Sequence, residues 1–187
     1  MTAQIKDCLL YKNNTFEIVR VSKKALFNPA DYGIRTVCIS SSCGSGLYCT
    51  YEIIDNFLQI QKVYLALEYL ETKRIELGKG IRLFGKIPSP LYKNSQEHIC
   101  DNLEQLVKFT GGILIGANFI RELLRSWYIP DLYKDRTVHE LIFESGRLVQ
   151  AIDCSKKISQ LSNRLIGKEI DIIESREIRK WSKDFFN

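Results

Sequence analysis

The side chains best suited to chemistry in this sequence are thiols and imidazoles. There are six cysteines, Cys8, Cys38, Cys43, Cys49, Cys100 and Cys154, and two histidines, His98 and His139. Cys43 lies in Ser40-Ser-Ser-Cys-Gly-Ser-Gly46, a run of small residues. The free backbone N–H groups of such a loop could hold an oxyanion. A thiol nucleophile needs a base, and the two imidazoles are the candidates. Cys43, His98 and His139 are therefore the candidate catalytic set, for a thiol-dependent hydrolase or transferase. The plainer reading is favoured, because glycine and serine gather in turns for conformational reasons. His139 alternates with Glu140 and is expected on a sheet face. His98 is expected in the first turn of a helix, in solvent.

The same loop could cradle a phosphate through its backbone. It lacks the Gly-x-x-x-x-Gly-Lys-Ser/Thr pattern, and no Lys or Arg falls between Arg35 and Lys62. Cys38, Cys43 and Cys49, with His98 and Cys100, are the only ligand set for a metal, and their spacing has no paired knuckle. No metal and no cofactor is expected. The cysteines read as reduced, and Cys8, Cys38 and Cys49 fall within apolar strand-like runs that suit burial. Glu68 with Glu71 and Glu174 with Glu177 have helical spacing and basic neighbours, which fits exposed charge. Aromatic and basic residues cluster around Pro130. Arg125, Tyr128, Tyr133 and Arg136 are the candidate binding residues, in a loop expected to be exposed and of a composition that interfaces use for anchors.

The elements that would position these residues are mostly strands. Cys8–Tyr11 and Phe16–Val21 flank an Asn-rich turn, Leu47–Ile54 and Phe57–Leu67 flank Asp55-Asn56, and Val138–Glu144 and Arg147–Ile152 flank Ser145-Gly146. Each pair reads as a β-hairpin. Leu58 and Ile60 alternate with Gln59 and Gln61, the pattern of a half-buried strand. Arg35–Ile39, Ile81–Ile87 and Gly112–Ile115 are further strand candidates. Ser95 is a plausible N-cap for a helix from Gln96, with Ile99, Leu103, Leu106 and Val107 on one face. Phe119, Leu123, Leu124 and Trp127 fit a helical stripe, although a strand over 118–128 stays open. From Ser155 the pattern is helical, with an apolar stripe through Ile158, Leu161 and Leu165 and another through Ile170, Ile173, Ile178, Trp181 and Phe185. The sequence predicts an α+β protein. A predominantly antiparallel sheet of hairpins, as a sandwich or half-barrel, occupies 1–153, and a helical extension over 154–187 packs on it.

Length and charge bound the function. The chain has 187 residues, 45% of them hydrophobic and 26% charged, enough for a core without disulfide or metal staples. The formal net charge is +5, short of the basic footprint of a dedicated nucleic-acid binder. In the tail, Lys156, Lys157, Arg164, Lys168, Arg176, Arg179, Lys180 and Lys183 interleave with Glu169, Asp171, Glu174, Glu177 and Asp184, as on a solvated face. No apolar run reaches the roughly 18 residues of a membrane span, and the first residues lack the apolar stretch of a secretory signal. A soluble cytoplasmic protein is expected.

Three stretches resemble a group of small β-rich bacterial proteins of uncharacterised function. Gly46-Leu-Tyr-Cys-Thr-Tyr-Glu-Ile-Ile-Asp-Asn-Phe-Leu-Gln-Ile60 is similar to that group's Gly-Tyr-x-Ala-x-Trp-Glu-Ile run and the acidic turn and Leu-x-Leu strand after it. Phe109-Thr-Gly-Gly-Ile-Leu-Ile115 is similar to its Trp-Phe-Thr-Gly-x-Leu-x-Ile element, and Glu140-Leu-Ile-Phe-Glu-Ser-Gly-Arg-Leu-Val149 to its closing hairpin. The resemblance spans about 7–152. It departs at Ser42–Ser45, where small residues replace a Trp-Arg pair, and at Tyr51, where the group has tryptophan. The group's His-Met-Gly-Tyr run is absent near Ser126–Ile129. The resemblance implies a β-rich fold and carries over no activity and no functional residue.

With few histidines and no cofactor motif, the favoured reading is a non-enzymatic binding module that recognises another protein, in the manner of an immunity or adaptor protein. The alternatives are the Cys43 enzyme and a weak nucleic-acid binder acting through the basic tail, which is not favoured. The sequence leaves the oligomeric state open.

Overall fold

The computed structural model describes residues 4–22, 25–93, 95–123 and 131–165. Ten strands and two α-helices follow in chain order. They are β1 (Cys8–Tyr11), β2 (Asn14–Val21), β3 (Leu47–Ile54), β4 (Phe57–Ala66), α1 (Tyr69–Glu76), β5 (Ser89–Pro90), β6 (Glu97–Cys100), β7 (Gln105–Leu106), β8 (Gly111–Phe119), β9 (Asp135–Glu144), β10 (Arg147–Asp153) and α2 (Ser155–Leu165). The strands form one sheet in the order β10-β9-β8-β2-β1-β3-β4-β6-β5. All neighbours are antiparallel except β1 and β3, which run parallel with Leu10 opposite Glu52. The protein is thus α+β, with α2 lying against β9.

The three hairpins form because their turn residues accept left-handed backbone. Lys12 and Asn13 have φ of 49° and 61°, and Asp55 and Asn56 have 51° and 65°. Such two-residue turns match the twist of the strands they join. Ser145 and Gly146 follow with 50° and 87°. Gly146 meets a second demand, since a Cβ there would collide with the Val107 carbonyl oxygen.

The sheet returns on itself. The far edge of β4 pairs in turn with β10 at Phe57 and Arg147, with β7 at Gln59 and Ile60, and with β6 from Val63 to Ala66. Leu58 N–H donates to Gly146 O at 2.8 Å and Leu148 N–H to Asn56 O at 2.7 Å, closing the ring at one point. The curvature comes from three bulges, where Val19, Gln61 and Val149 each add a residue to one strand. A bulge bends its strand and shifts the alternation by one. Hence Leu58 and Ile60 face the interior before Gln61, and Val63 and Leu65 face it after.

The interior is apolar. Leu9, Tyr51, Leu58, Ile60, Ile113, Ile115, Leu141 and Phe143 are fully enclosed there, each worth roughly 1.5–3 kcal/mol of burial. A second cluster sits outside β8 and β9, where Leu114, Val138 and Tyr133 meet Cys154 and Ile158. α2 docks through Ile158, with Leu161 packed against the same cluster.

Several local expectations are corrected. The helix expected from Gln96 is β6 followed by β7. Ser95 does act as a local acceptor, its Oγ taking Glu97 N–H at 2.9 Å, but it opens a strand. The long free edge of β4 supplies ladder partners there, and positive φ at Asn102 and Glu104 breaks any helix. Arg35–Ile39 and Ile81–Ile87 make only the isolated bridges Thr36 to Leu67 and Leu83 to Lys86. The predicted strand at Gly112 runs on to Phe119 and ends in a 3-10 turn over Arg121–Leu123, so the helical stripe through Phe119 and Leu123 is not formed. Leu124 and Trp127 lie outside the described residues, as do Ile170, Ile173, Ile178, Trp181 and Phe185.

Candidate functional site

The catalytic set suggested by the sequence is not assembled. Cys43 is buried beside Tyr48, Tyr64 and Glu97 in a cleft of about 10 Å³, about the space of one water. His98 follows Glu97 in β6, and alternation turns it to the opposite face. It is 1% exposed, contrary to the expectation of a solvated helical residue. Its Nδ1 lies 3.0 Å from Gln96 O and its Nε2 is buried without a partner. The ladder places it opposite Leu65 and Pro90, and among the described residues neither ring nitrogen is bonded to a carboxylate. His139 does lie on a sheet face as expected, with Tyr11 and Phe16 edge-on to its ring at 5.8 and 5.4 Å.

Four N–H groups of the Ser40–Gly46 loop already have acceptors. Cys43 N–H bonds Ser40 O, Gly46 N–H bonds Cys43 O, Ser42 N–H bonds Ser40 Oγ, and Gly44 N–H bonds Gln4 Oε1. Those groups are not open to an oxyanion or a phosphate. Tyr48 and Tyr64 stack on its flank at 4.2 Å. Burial, with the neighbouring Tyr64, pushes the Tyr48 hydroxyl up to about 12.

The cysteines are six separate free thiols. Cys38 is exposed in a loop, where a strand was expected, and Cys49 and Cys100 face the interior. Burial pushes the Cys49 thiol well up and Cys100 to about 11. Among the described residues no three potential ligands come together for a metal. Of the candidate binding residues, Tyr133 is 1% exposed and belongs to the second cluster, which corrects its placement in an exposed loop. The polypeptide there folds inward, with Ser162 Oγ donating to Tyr133 O at 2.6 Å. Arg136 is exposed on β9. Arg125 and Tyr128 lie outside the described residues.

A larger cleft, of about 380 Å³, opens between the tips of the first two hairpins. The parallel pairing of β1 with β3 sets both tips at the same end of the ring. Lys12 and Asn13 flank one side, Glu52, Asp55 and Asn56 the other, and Leu10, Tyr11, Ile53 and Leu148 supply apolar wall. Lys12 Nζ stands 5.1 Å from the centroid of the Tyr11 ring, a cation–π contact. An apolar wall with a few convergent polar groups is the usual character of a recognition site. In the sequence these residues are legible only as turn formers, because nothing local signals that β1 and β3 are neighbours.

No protein-family model, no curated protein and no solved structure matches the chain. Among the described residues no helix is long and apolar enough to cross a membrane.

Proposed function

We propose that this chain is a non-enzymatic binding module that recognises another protein, and that its partner sits at the cleft between the hairpin tips. The observation that carries the reading is the cleft itself, of about 380 Å³, where carboxylates, amides and one ammonium stand beside an apolar wall. Cys43 lies beside Glu97, while His98 and His139 pair with the interior residues Leu65 and Ile115, which supports recognition over thiol chemistry. Such a module works in the cytoplasm on a soluble partner, in the manner of an immunity or adaptor protein.

Photo-crosslinking tests it. A benzophenone side chain placed at Asn13 or Asp55, in cells that naturally express the protein, should give discrete protein adducts. The same group at Glu76 on α1 should give none. Adducts at Glu76 alone, or at no position, would overturn the reading.

A further inference from the structure

We infer that β10 takes up an extended, basic segment of the partner as an added strand along its open edge. This rests on the protein-binding reading and specifies what the partner must present.

The register identifies the open edge. β10 touches β4 only at Arg147 opposite Phe57, and Leu148 N–H reaches back to Asn56 O. The pairing is antiparallel and β4 begins at Phe57, so past the Asp55-Asn56 turn β10 has no partner from β4, while β9 continues beside β10 to Asp153. Cys154 N–H donates to Val138 O on the β9 side. Alternation then turns Ile152 and Gln150 toward β9 and leaves the N–H and C=O of Ala151 and Asp153 pointing away from it. Leu148, on the other side of the Val149 bulge, points away as well, as its bond to Asn56 requires. Among the described residues no backbone partner meets Ala151 or Asp153 on that side. Residues 149–153 are all exposed, including Val149 at 48% and Ile152 at 38%. Unpaired, exposed and partly apolar backbone of this kind is the template for strand addition.

The edge starts at the cleft. Leu148 lines the cleft at one end. At the far end of the edge Asp153 pairs with His139, whose ring meets Tyr11 at 5.8 Å, so the end of β1 lies toward this side. Hydrogen bonds from Ser155 chiefly hold the Asp153 carboxyl low, with the charges of His139 and Lys12 adding. An incoming strand would lie between β10 and the two tips. Charge selects its composition. Glu52, Asp55 and Asp153 oppose the single Lys12 along this path, in a chain whose net charge is +5. Arg147 alternates to the other face from Leu148. The local field therefore favours Lys and Arg on the added strand.

The test uses the full chain and three blocked, dye-labelled peptides. They are Thr-Lys-Val-Lys-Val-Lys-Thr, its counterpart with Glu for Lys, and the Lys peptide N-methylated along one edge. Anisotropy should show binding of the Lys peptide, weakened at least tenfold by the Glu replacements and by N-methylation. Ala151→Pro removes an N–H that the β9 ladder does not use and should weaken binding about tenfold. Glu52→Gln with Asp55→Asn should weaken binding and flatten its dependence on salt. Hydrogen exchange should show the Ala151 and Asp153 amides protected only when the peptide is present. Equal binding of the Glu or N-methylated peptide overturns the inference. So does protection of those amides in the free protein, which at all concentrations would place this chain's own segment on the edge, and with rising concentration a second copy. The N-methylated peptide keeps the test decisive even if Ala151→Pro folds poorly. Crosslinked adducts at Asn13 and Asp55 with no edge protection would sink the added strand and leave the protein-binding reading standing. Loss of both would sink both.

Discussion

At the scale of single residues, Asp7 shows burial and hydrogen bonding in opposition. It precedes β1, and its Oδ1 accepts the Cys49 N–H at 2.7 Å. Desolvation raises its carboxyl above the ordinary value of 3.8, outweighing that bond. The folded state therefore holds its proton more tightly than the unfolded state. The resulting stability is present below about pH 3.8 and is lost as pH rises through the raised folded value. Asn at this position keeps the acceptor oxygen and cannot ionise. Asp7→Asn should accordingly raise the urea midpoint at pH 7, and its advantage should shrink toward zero as pH falls to 3.8. Urea melts of both proteins across that range check the sign. A variant that is less stable at neutral pH would mean that the charge of Asp7 is used in the fold. Tyr51 lies beside it with an enclosed hydroxyl that finds no oxygen or nitrogen partner, only the weakly bonding Cys49 thiol. Burial drives that hydroxyl far above its ordinary range, so it remains neutral.

At the scale of elements, the hairpin of β3 and β4 rests on two consecutive left-handed residues, Asp55 and Asn56. β-Branched side chains resist that conformation. Replacing both with valine should cost on the order of 1–3 kcal/mol, read as a lower urea midpoint with an unchanged slope. An unaltered midpoint would show that the turn tolerates another geometry. These turns were legible in the sequence because the backbone demand and the residue that meets it sit at the same position. The Gln61 bulge was not. It leaves Leu58 and Ile60 in plain alternation and then moves the inward side to Val63 and Leu65, a change visible only when β3 is set alongside. The stretch after Ser95 misled for a related reason. Ile99, Leu103, Leu106 and Val107 satisfy helical spacing, but the unpaired edge of β4 captures Glu97–Cys100 and Gln105–Leu106 as strands. Ladder partners far away in sequence override a local period. The candidate site was hidden in the same way. Lys12, Asn13, Asp55 and Asn56 were readable as turns, and their meeting depends on the parallel β1–β3 pair.

At the scale of the whole molecule, the sheet encloses one core and leaves the outer face of β8 and β9 apolar. Leu114 and Val138 are fully buried on that face, in a cluster that α2 completes with Ile158 beside Ile120, Leu123 and Tyr133. The helix is tied down at its start, where Val138 N–H donates to Ser155 Oγ at 3.1 Å and Ser155 N–H to Asp153 Oδ1 at 2.9 Å. Ile158 is 0% exposed and Ser162 is likewise enclosed, with Lys156 and Gln160 in solvent. A helix held this way belongs to the cooperative unit, and Lys156 and Lys157 are on the outer side of a packed element. Ile158→Ala should then destabilise the entire protein by about 2–5 kcal/mol, the transfer loss plus the cavity it leaves. Lys156→Ala and Gln160→Ala should stay within about 0.5 kcal/mol. Thermal melts followed in parallel by far-ultraviolet circular dichroism and by the absorbance of the tyrosines, among them the buried Tyr51 and Tyr133, decide the matter. The two probes should shift together for Ile158→Ala. If the dichroism lost a small helical component early while the main transition kept its midpoint, α2 would be an appendage, and the face of β8 and β9 would tolerate exposure. The geometry of the second cluster argues for the first outcome, since removing α2 uncovers Leu114, Tyr133 and Val138 together.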